Sequence, residues 1–393
     1  MAKRLYIIAG EASGDLHGGN LVRELFAVAE GSGGSPAGRL AGPSQVTSGG
    51  SPLRIRAWGG DRMAEAGAEV VKHYRELAFM GFTQVIMNLR TILRNITACK
   101  RDIEAFKPDA LVLIDYPGFN LRIAAWAHAR GIPVYYYISP QVWAWKKDRV
   151  KTIKRVVRRM YCILPFEQDW YARHGMDVDF VGHPLLDAIE QEGRAPLKAL
   201  PGDDGRPVVA LLPGSRRQEI ARMLPLMAAT AKSFPQHRFV VASAPSVPMD
   251  FYRELLGDAA ITVVQGRTYD LLRQAHAALV TSGTATLETA LFGVPEVVCY
   301  SGSALNVWIA KRLVDIQFIS LVNLIMEREV VRELIQDELT EDNLRKELAP
   351  LVEQGPRRAA MLADLEALRH KLGGPGASRK VASALWKSLA EAP

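Results

Sequence analysis

The chain has 393 residues, of which 48% are hydrophobic and 23% charged, and this length favours two domains, each with its own core. The sequence has no run of about eighteen apolar residues, so a membrane-spanning helix is not expected. Its formal net charge of +7 suits an anionic membrane face, a phosphorylated substrate or nucleic acid, but also a basic solvated surface. RNA-binding signatures are not apparent in the sequence, so we expect no nucleic-acid partner.

The three cysteines, Cys99, Cys162 and Cys299, are far apart and odd in number. No pair has the spacing of metal ligands, and a disulfide framework is not expected. The cysteines therefore indicate a reducing compartment, with the cytoplasm as the default. The apolar segment after Arg4 is shorter than that of a signal peptide and leads into a glycine-rich turn, so we interpret it as the first core strand.

Short apolar runs alternate with longer amphipathic stretches along the chain. This pattern predicts βαβ units with parallel sheets, whose strands are buried on both faces. In chain order, the predicted strands are 5–9, 55–58, 110–114, 134–138, 160–164, 178–181, 208–212, 238–242, 261–264, 277–281 and 296–300. We therefore predict an α/β fold with two similar halves, whose ligands bind in a cleft at the carboxyl ends of the strands.

A polar stretch rich in turn residues between 187 and 206 predicts a linker between the two halves. We expect an N-terminal domain over 1–187, a C-terminal domain over 206–372, and a terminal helix over 373–393 that follows a glycine- and proline-containing hinge. That helix is predicted to pack on the first domain or on a partner chain. Residues 31–52 are nearly all Gly, Ser, Pro and Ala and predict a flexible insertion.

Residues 9–15, with the sequence AGEASGD, follow the first predicted strand and open a helix. Glycines here let a ligand approach the backbone, and a helix N-terminus favours negative charge. The spacing is neither the G-x-G-x-x-G of dinucleotide folds nor that of a P-loop. A tight turn with Ser13 or Asp15 as the helix cap explains the segment equally well.

Asp115 directly follows the predicted strand 110–114. A carboxylate at this end of a strand can take a proton from an attacking hydroxyl. A turn-forming aspartate or a cap for the next helix is at least as good an interpretation from the residues alone. His183 is a lone histidine, which is more often structural, and we keep it as a candidate for the cleft lining.

The second half repeats the strand–turn–helix pattern twice. Arg216 ends the first such turn, where its planar guanidinium matches phosphate oxygens. Residues 282–288, with the sequence SGTATLE, open a helix whose free N–H groups and hydroxyls suit a diphosphate. Glu288 lies on the same helix face as Thr284 and suits a ribose diol, although an ordinary helix-dipole partner is the alternative.

Residues 74–93 contain an apolar segment flanked by arginines. A buried helix of the first domain and a surface that contacts a membrane or an acyl chain both explain it.

These motifs together resemble, over nearly the whole chain and in order, the lipid-A-disaccharide synthases of Gram-negative bacteria. The similar segments are 9–15, 114–120, 139–145, 164–167, 182–183, 212–216, 282–288 and 320–324. The sequence departs from the family pattern at three places: the insertion over 31–52, Tyr116 and Gly118. Of these, Tyr116 and Gly118 lie in the loop after Asp115 and bear on how the acceptor fits.

The resemblance implies a GT-B fold, with two Rossmann-like domains around a cleft, and a transferase that needs no metal or other cofactor. It implies transfer of 2,3-diacylglucosamine from its UDP form to 2,3-diacylglucosamine 1-phosphate, with inversion at the anomeric carbon and release of UDP. It further implies a homodimer associated peripherally with the cytoplasmic face of the inner membrane.

The resemblance also implies roles for individual residues. Asp115 is the expected catalytic base. The expected substrate contacts are Glu11, Ser13, Asp15, Asn120 and His183; the expected UDP contacts are Arg216, Ser282, Gly283, Thr284, Glu288 and Asn323; the expected lipid contacts are Phe79, Met80, Phe82, Val85 and Ile86.

Two other functions stay open from the sequence. One is a UDP-sugar epimerase of the same architecture, which would release a free sugar without an acceptor. The other is a membrane-surface module without catalysis, which would use the basic residues after 146 and the apolar segment in 74–93. Incubation with a UDP-sugar, with and without a lipid acceptor, separates the first from a transferase, and protection from heat by UDP would count against the second.

Overall fold

The computed structural model describes residues 2–31, 52–76, 89–144, 147–302 and 317–391. These residues form two compact units. Unit 1 comprises Met1–Pro184 and Pro375–Pro393, and unit 2 comprises Leu185–Gly374.

Unit 1 alternates strands and helices. Its elements are β1 (Lys3–Ala9), α1 (Ala12–Ala29), β2 (Leu53–Gly59), α2 (Asp61–Glu65), β3 (Glu69–His73), α3 (Leu89–Phe106), β4 (Ala110–Ile114), α4 (Pro117–His128), β5 (Val134–Tyr137), α5 (Arg149–Val156), β6 (Arg159–Cys162), α6 (Phe166–Arg173) and β7 (Asp179–Phe180).

Unit 2 repeats this alternation, and the chain then returns to unit 1. The elements of unit 2 are α7 (Leu185–Arg194), β8 (Val208–Leu212), α8 (Arg217–Thr230), β9 (Arg238–Ser243), α9 (Met249–Leu256), β10 (Thr262–Gln265), α10 (Thr268–Gln274), β11 (Ala275–Thr281), α11 (Thr284–Leu291), β12 (Glu296–Tyr300), α12 (Leu321–Met326), β13 (Arg332–Ile335), α13 (Glu341–Val352) and α14 (Pro356–Lys371). The last helix, α15 (Ala377–Ala390), belongs to unit 1.

Each unit contains a parallel sheet. Within the described residues, the strand order is β3-β2-β1-β4-β5-β6-β7 in unit 1 and β10-β9-β8-β11-β12-β13 in unit 2. The order reverses direction between β1 and β4 in unit 1, and between β8 and β11 in unit 2. Such switch points are where open α/β sheets bind ligands, outside the carboxyl ends of the strands.

The sheet of unit 1 is covered on both faces, which explains why its central strands are continuously apolar. Tyr6 and Ile8 of β1 face a core formed with α3, α4 and α5, whereas Leu5 and Ile7 face a core formed with α1 and α15. All five residues of β4 are buried. The burial of alternate side chains on opposite faces therefore fixes the register of the sheet.

Two strands were not predicted from the sequence. β3 and β13 lie at the edges of their sheets, and each carries charged residues, among them Glu69 and Glu333. Edge strands often carry such charges, which interrupt the apolar pattern. The division between the units falls after Pro184, so the predicted linker over 187–206 lies within unit 2 and begins with part of α7.

In the part of the chain that the structure describes, no helix combines the length and the apolar character needed to cross a bilayer.

Candidate functional site

The switch point of unit 1 brings two of the predicted site residues to one edge of the sheet. β1 pairs with β4, with Ala9 opposite Ile114. Glu11 and Asp115 follow these strand ends closely, and the charge of Glu11 acts on Asp115. Glu11 and Asp115 therefore both lie at the carboxyl end of the sheet, beside its switch point.

The backbone at Asp115 is in an unusual conformation. Asp115 and Tyr116 have φ angles of 44° and 49°, a left-handed region that residues other than glycine rarely adopt. The carbonyl of Asp115 accepts hydrogen bonds from Asn120 Nδ2 at 2.7 Å and from the Tyr136 hydroxyl at 2.5 Å. These two bonds hold the turn that presents the Asp115 side chain.

Asn120 itself is fully buried. Its Nδ2 also donates to the carbonyl of Ile114 at 3.2 Å. The structure therefore favours a supporting role for Asn120, beneath Asp115, over the predicted direct contact with substrate.

The Asp115 carboxyl holds its proton more tightly than an exposed aspartate does. Burial raises its pKa to about 6, and the negative charge of Glu11 adds to the increase, while a hydrogen bond from the backbone of Tyr116 opposes it. A carboxylate with a pKa near the working pH is suited to general base catalysis.

The glycines near the start of α1 serve packing within the protein. A Cβ atom on Gly10 would lie 2.3 Å from the Tyr116 ring, and one on Gly19 would lie 2.8 Å from the carbonyl oxygen of Arg62. Gly18 similarly faces Met63 Sδ at 2.8 Å. The structure thus assigns these glycines to close contacts with Tyr116 and α2, where the sequence suggested close approach of a ligand.

Asp15 caps a helix, but it does not cap the helix on which it lies. Its Oδ1 accepts from the backbone N–H groups of Gly60 at 2.7 Å and Met63 at 3.2 Å, and its Oδ2 accepts from Arg62 at 3.1 Å. Asp15 is only 3% exposed. Its carboxylate therefore holds the N-terminus of α2, which favours a structural role over the predicted contact with the sugar.

The remaining substrate-side candidates differ in accessibility. Ser13 is exposed in the first turn of α1, and Glu11 is partly exposed. His183 is buried, and burial together with the nearby His17 lowers its pKa to about 3. Burial lowers the pKa of His17 to about 4. The two histidines are therefore neutral at physiological pH, which makes His183 a poor anion ligand.

The switch point of unit 2 brings a second group of predicted residues together. Leu212 of β8 pairs with Val280 of β11, and the loops that follow both strands leave the sheet side by side. A Cβ atom on Gly214 would lie 3.6 Å from the Thr281 side chain. Arg216 follows in the same loop, and its side chain is 60% exposed.

Glu219 organises the loop that carries Arg216. Its Oε2 accepts from the backbone N–H groups of Ser215 at 3.2 Å and Arg216 at 3.3 Å, and its Oε1 accepts from the Arg216 guanidinium at 2.9 Å. Glu219 was not among the site residues predicted from the sequence. The exposed guanidinium is thus oriented from one side by a carboxylate.

The loop after β11 presents backbone groups more than hydroxyls. The Ser282 hydroxyl donates to the carbonyl of Ile319 at 3.2 Å, and its N–H donates to the carbonyl of Cys299 at 2.9 Å. Gly283 and Thr284 are exposed at the start of α11, where helix geometry leaves N–H groups without an intrahelical acceptor. Gly283 and Thr284 are therefore better placed than the Ser282 hydroxyl to donate to a phosphate.

Glu288 is hydrogen-bonded to Tyr269, a partner that was not predicted from the sequence. The Tyr269 hydroxyl donates to Glu288 Oε1 at 2.8 Å, and burial raises the pKa of Glu288 while this bond lowers it. Glu288 is partly exposed, so the pair keeps acceptor capacity for a diol. A tyrosine 19 residues away has no local sequence signal that links it to Glu288.

Asn323 is fully buried, and hydrogen bonds within the protein use its whole amide. Its Nδ2 donates to the carbonyl of Val331 at 2.8 Å and to Glu333 Oε1 at 2.9 Å. Its Oδ1 accepts from the N–H groups of Val330 at 2.8 Å and Val331 at 3.0 Å. The amide has no capacity left, which favours a structural role for Asn323 over the predicted contact with UDP.

The predicted lipid contacts Phe79, Met80, Phe82, Val85 and Ile86 lie outside the described residues.

Comparison with known proteins identifies the family. The family model for lipid-A-disaccharide synthetase matches residues 5–386. The lipid-A-disaccharide synthase of Syntrophus aciditrophicus (strain SB) is 39% identical over 390 residues, which cover 97% of this chain and 96% of that protein. Both findings confirm the resemblance seen in the sequence.

Solved structures confirm the fold. The chain is similar to the glycotransferase of kitacinnamycin, with a TM-score of 0.63, 16% identity and coverage of 99% of this chain and 100% of that one. It is also similar to the UDP-GlcNAc 2-epimerase of Neisseria meningitidis bound to UDP-GlcNAc, with a TM-score of 0.62, 13% identity and coverage of 98% and 100%. At these identities the likeness concerns the fold alone, so the epimerase alternative gains no support from it. Both units have the parallel α/β architecture of GT-B glycosyltransferases, as predicted, and the match of sequence over nearly the whole length shows that this chain belongs to the lipid-A-disaccharide synthetase family.

Proposed function

We propose that this protein transfers 2,3-diacylglucosamine from its UDP form to the 6-hydroxyl of 2,3-diacylglucosamine 1-phosphate. The products are a β-1,6-linked disaccharide 1-phosphate and UDP. Family membership over residues 5–386 supports the reaction. The observation that carries the mechanism is the Asp115 carboxyl at the switch point of unit 1, with a pKa raised to about 6.

In this mechanism Asp115 takes the proton of the acceptor hydroxyl as the oxygen attacks the anomeric carbon of the donor. The bond between that carbon and the diphosphate oxygen breaks, the configuration inverts, and UDP leaves with the bonding electron pair. At pH 7 to 8 a carboxyl with a pKa of about 6 is mostly ionised, yet it is more basic than an ordinary aspartate.

Unit 2 stabilises the leaving diphosphate. The exposed residues Gly283 and Thr284 place their N–H groups at the positive end of α11, and Arg216 supplies a planar cation. Donors fixed before the reaction stabilise developing negative charge without rearranging. Glu288, held by Tyr269 at 2.8 Å, accepts hydrogen bonds from the ribose diol.

The protein acts at the cytoplasmic face of the inner membrane, as a peripheral protein and as a homodimer. Support for the membrane contact comes from α5, which buries Val150, Ile153 and Val156 and exposes Lys151 and Lys154. An exposed basic helix face attracts anionic lipid headgroups. Sedimentation with anionic vesicles tests the membrane contact, and light scattering after gel filtration tests the dimer.

The test of the proposed function compares Asp115→Asn with Asp177→Asn, a matched control at an exposed loop position. We expect Asp115→Asn to lose at least about 100-fold in kcat, in the range that general base catalysis contributes, and to bind UDP with unchanged affinity. The control should match the wild type in both measurements. Near-wild-type turnover by Asp115→Asn would overturn the role of Asp115.

A second arm distinguishes the transferase from an epimerase. The wild type is incubated with the UDP-sugar alone and with the lipid acceptor added. UDP release that depends on the acceptor supports the transferase, whereas a free sugar formed without acceptor would contradict it.

A further inference from the structure

Glu333 lies on the edge strand β13 and binds the segment that precedes α12. Its Oε2 accepts from the N–H of Ile319 at 2.9 Å. Its Oε1 accepts from the N–H of Ser320 and from Asn323 Nδ2, each at 2.9 Å. Glu333 is 8% exposed and Ser320 is fully buried. One largely buried carboxylate therefore accepts hydrogen bonds from three residues within the stretch 319–323, which fixes this stretch against β13.

The same segment is bonded to the loop that opens α11. The carbonyl of Ile319, whose N–H is held by Glu333, accepts the hydrogen bond from the Ser282 hydroxyl at 3.2 Å. The N–H of Ser282 is held separately by the carbonyl of Cys299 on β12. The residue immediately before Gly283 is thus fixed at two points, and one of them depends on Glu333.

These hydrogen bonds affect the direction of the N–H groups of Gly283 and Thr284, which are exposed residues. A glycine at this position has wide conformational freedom, so a donor group there has a fixed direction only if the flanking residue is held. The helix fixes Thr284 from one side, and the Ser282 hydroxyl fixes the other side through Ile319.

We propose that Glu333 is a positioning residue of the donor site: through Ile319 and the Ser282 hydroxyl it orients the N–H groups that receive the diphosphate. Glu333 does not touch the nucleotide. Ser282 acts here by holding the loop, since its hydroxyl proton is donated to Ile319. The inference rests on the proposed function, because it assumes that UDP binds at this loop.

The test measures UDP affinity by titration calorimetry for the full chain and for three variants. Glu333→Gln keeps the shape of the side chain but replaces one acceptor oxygen with a donor that faces an N–H group. Ser282→Ala removes the hydroxyl. Glu329→Gln is the matched control, because Glu329 is exposed, lies near the same strand and pairs with Arg332.

We expect Glu333→Gln and Ser282→Ala each to weaken UDP binding about tenfold, which corresponds to about 1.4 kcal/mol, with the control unchanged. The KM for the UDP-sugar should rise while the KM for the acceptor stays the same. A merely structural role would lower the fraction of competent sites without changing the affinity of the rest.

The double variant decides whether Glu333 acts through Ser282. If it does, Glu333→Gln adds little in the Ser282→Ala background, because the link is already broken. About hundredfold weakening in the double variant, the product of two independent effects, would overturn the inference. Wild-type affinity for UDP in Ser282→Ala would also overturn the inference. Ser282→Ala therefore still tests it if Glu333→Gln fails to fold. If the wild type itself bound no UDP, the proposed function would fall first, and the inference with it.

Discussion

Asp115 combines a strained backbone with a perturbed carboxyl. Its positive φ of 44° is held by hydrogen bonds from Asn120 and Tyr136 to its carbonyl. Such strain persists only where the surroundings fix it, and it is common at sites of chemistry. Both supporting bonds go to the main-chain carbonyl of Asp115, so neither of them occupies its carboxylate.

The pH dependence of turnover tests this electrostatic arrangement. As the pH falls through about 6, Asp115 takes up a proton, so kcat/KM should fall along an acid limb centred there. Glu11 raises the pKa of Asp115, so Glu11→Gln should lower that pKa and move the acid limb to lower pH. The measurement is kcat/KM from pH 5 to 9 for both proteins.

The position of the acid limb is informative even if Glu11→Gln is less active overall. Glu65→Gln, at an exposed residue in α2, is the matched control and should leave the limb unchanged. An acid limb that stays in place, or moves to higher pH, in Glu11→Gln would contradict a charge interaction between Glu11 and Asp115.

At the scale of elements, the short helix α2 depends on a carboxylate from α1. Asp15 accepts three backbone hydrogen bonds at the N-terminus of α2, and α1 and α2 approach closely at Gly19. A five-residue helix is not stable by itself. Its position therefore comes from this cap and from the packing of Met63 against the core of unit 1.

We expect Asp15→Asn to lower the free energy of unfolding by about 1–2 kcal/mol, since an amide cannot accept all three bonds. Urea unfolding followed by circular dichroism measures the change. Asp250→Asn, in the exposed first turn of α9, is the control and should change stability by less than about 0.5 kcal/mol. A raised acceptor KM with unchanged stability would instead support the contact with the sugar that was predicted from the sequence.

The central strands of both sheets could be predicted from the sequence because burial on both faces leaves a continuous apolar run. The predicted strands 110–114, 208–212 and 296–300 have the observed bounds. The edge strands β3 and β13 could not be predicted, because charged residues such as Lys72 and Arg332 interrupt the apolar run. The apolar signal reports burial, and charged residues can interrupt it at the edge of a sheet. The edge strands β7 and β10 kept enough of this signal to be predicted, over 178–181 and 261–264.

The candidate site could be predicted only in part. Asp115 and Gly283 follow strand ends, so the local pattern locates them. Tyr136 and Glu333 act on backbone groups 14 to 21 residues away, and no periodicity links such partners. The role of Asp15 could not be predicted for the same reason, since the N–H groups that donate to its carboxylate lie at the N-terminus of α2, 45 to 48 residues further on.

At the scale of the molecule, the core of unit 1 is completed by α15, which follows unit 2 in the sequence. Val381, Leu385 and Leu389 of α15 are buried in the core that Leu21 and Leu25 of α1 share, and the Tyr135 and Ser388 hydroxyls are 2.5 Å apart. Unit 1 therefore cannot reach its native core until α15 has been synthesised. Unit 2 has its own sheet and core cluster, drawn from residues 200–294, and does not have this dependence.

Leu385→Ala tests this dependence. The side chain is fully buried, so its truncation should destabilise unit 1 by about 2–5 kcal/mol. Leu362→Ala, at a leucine of unit 2 that is 36% exposed, is the matched control and should destabilise the protein much less.

Hydrogen exchange measured by mass spectrometry should show faster exchange in β1, β2 and α1 of Leu385→Ala, with β8 and β9 unchanged. Exchange from core strands reports the stability of the cooperative unit that contains them. Equal acceleration in both units would show that they unfold as one, and protection of β1 at the wild-type level would show that α15 adds nothing to the stability of unit 1.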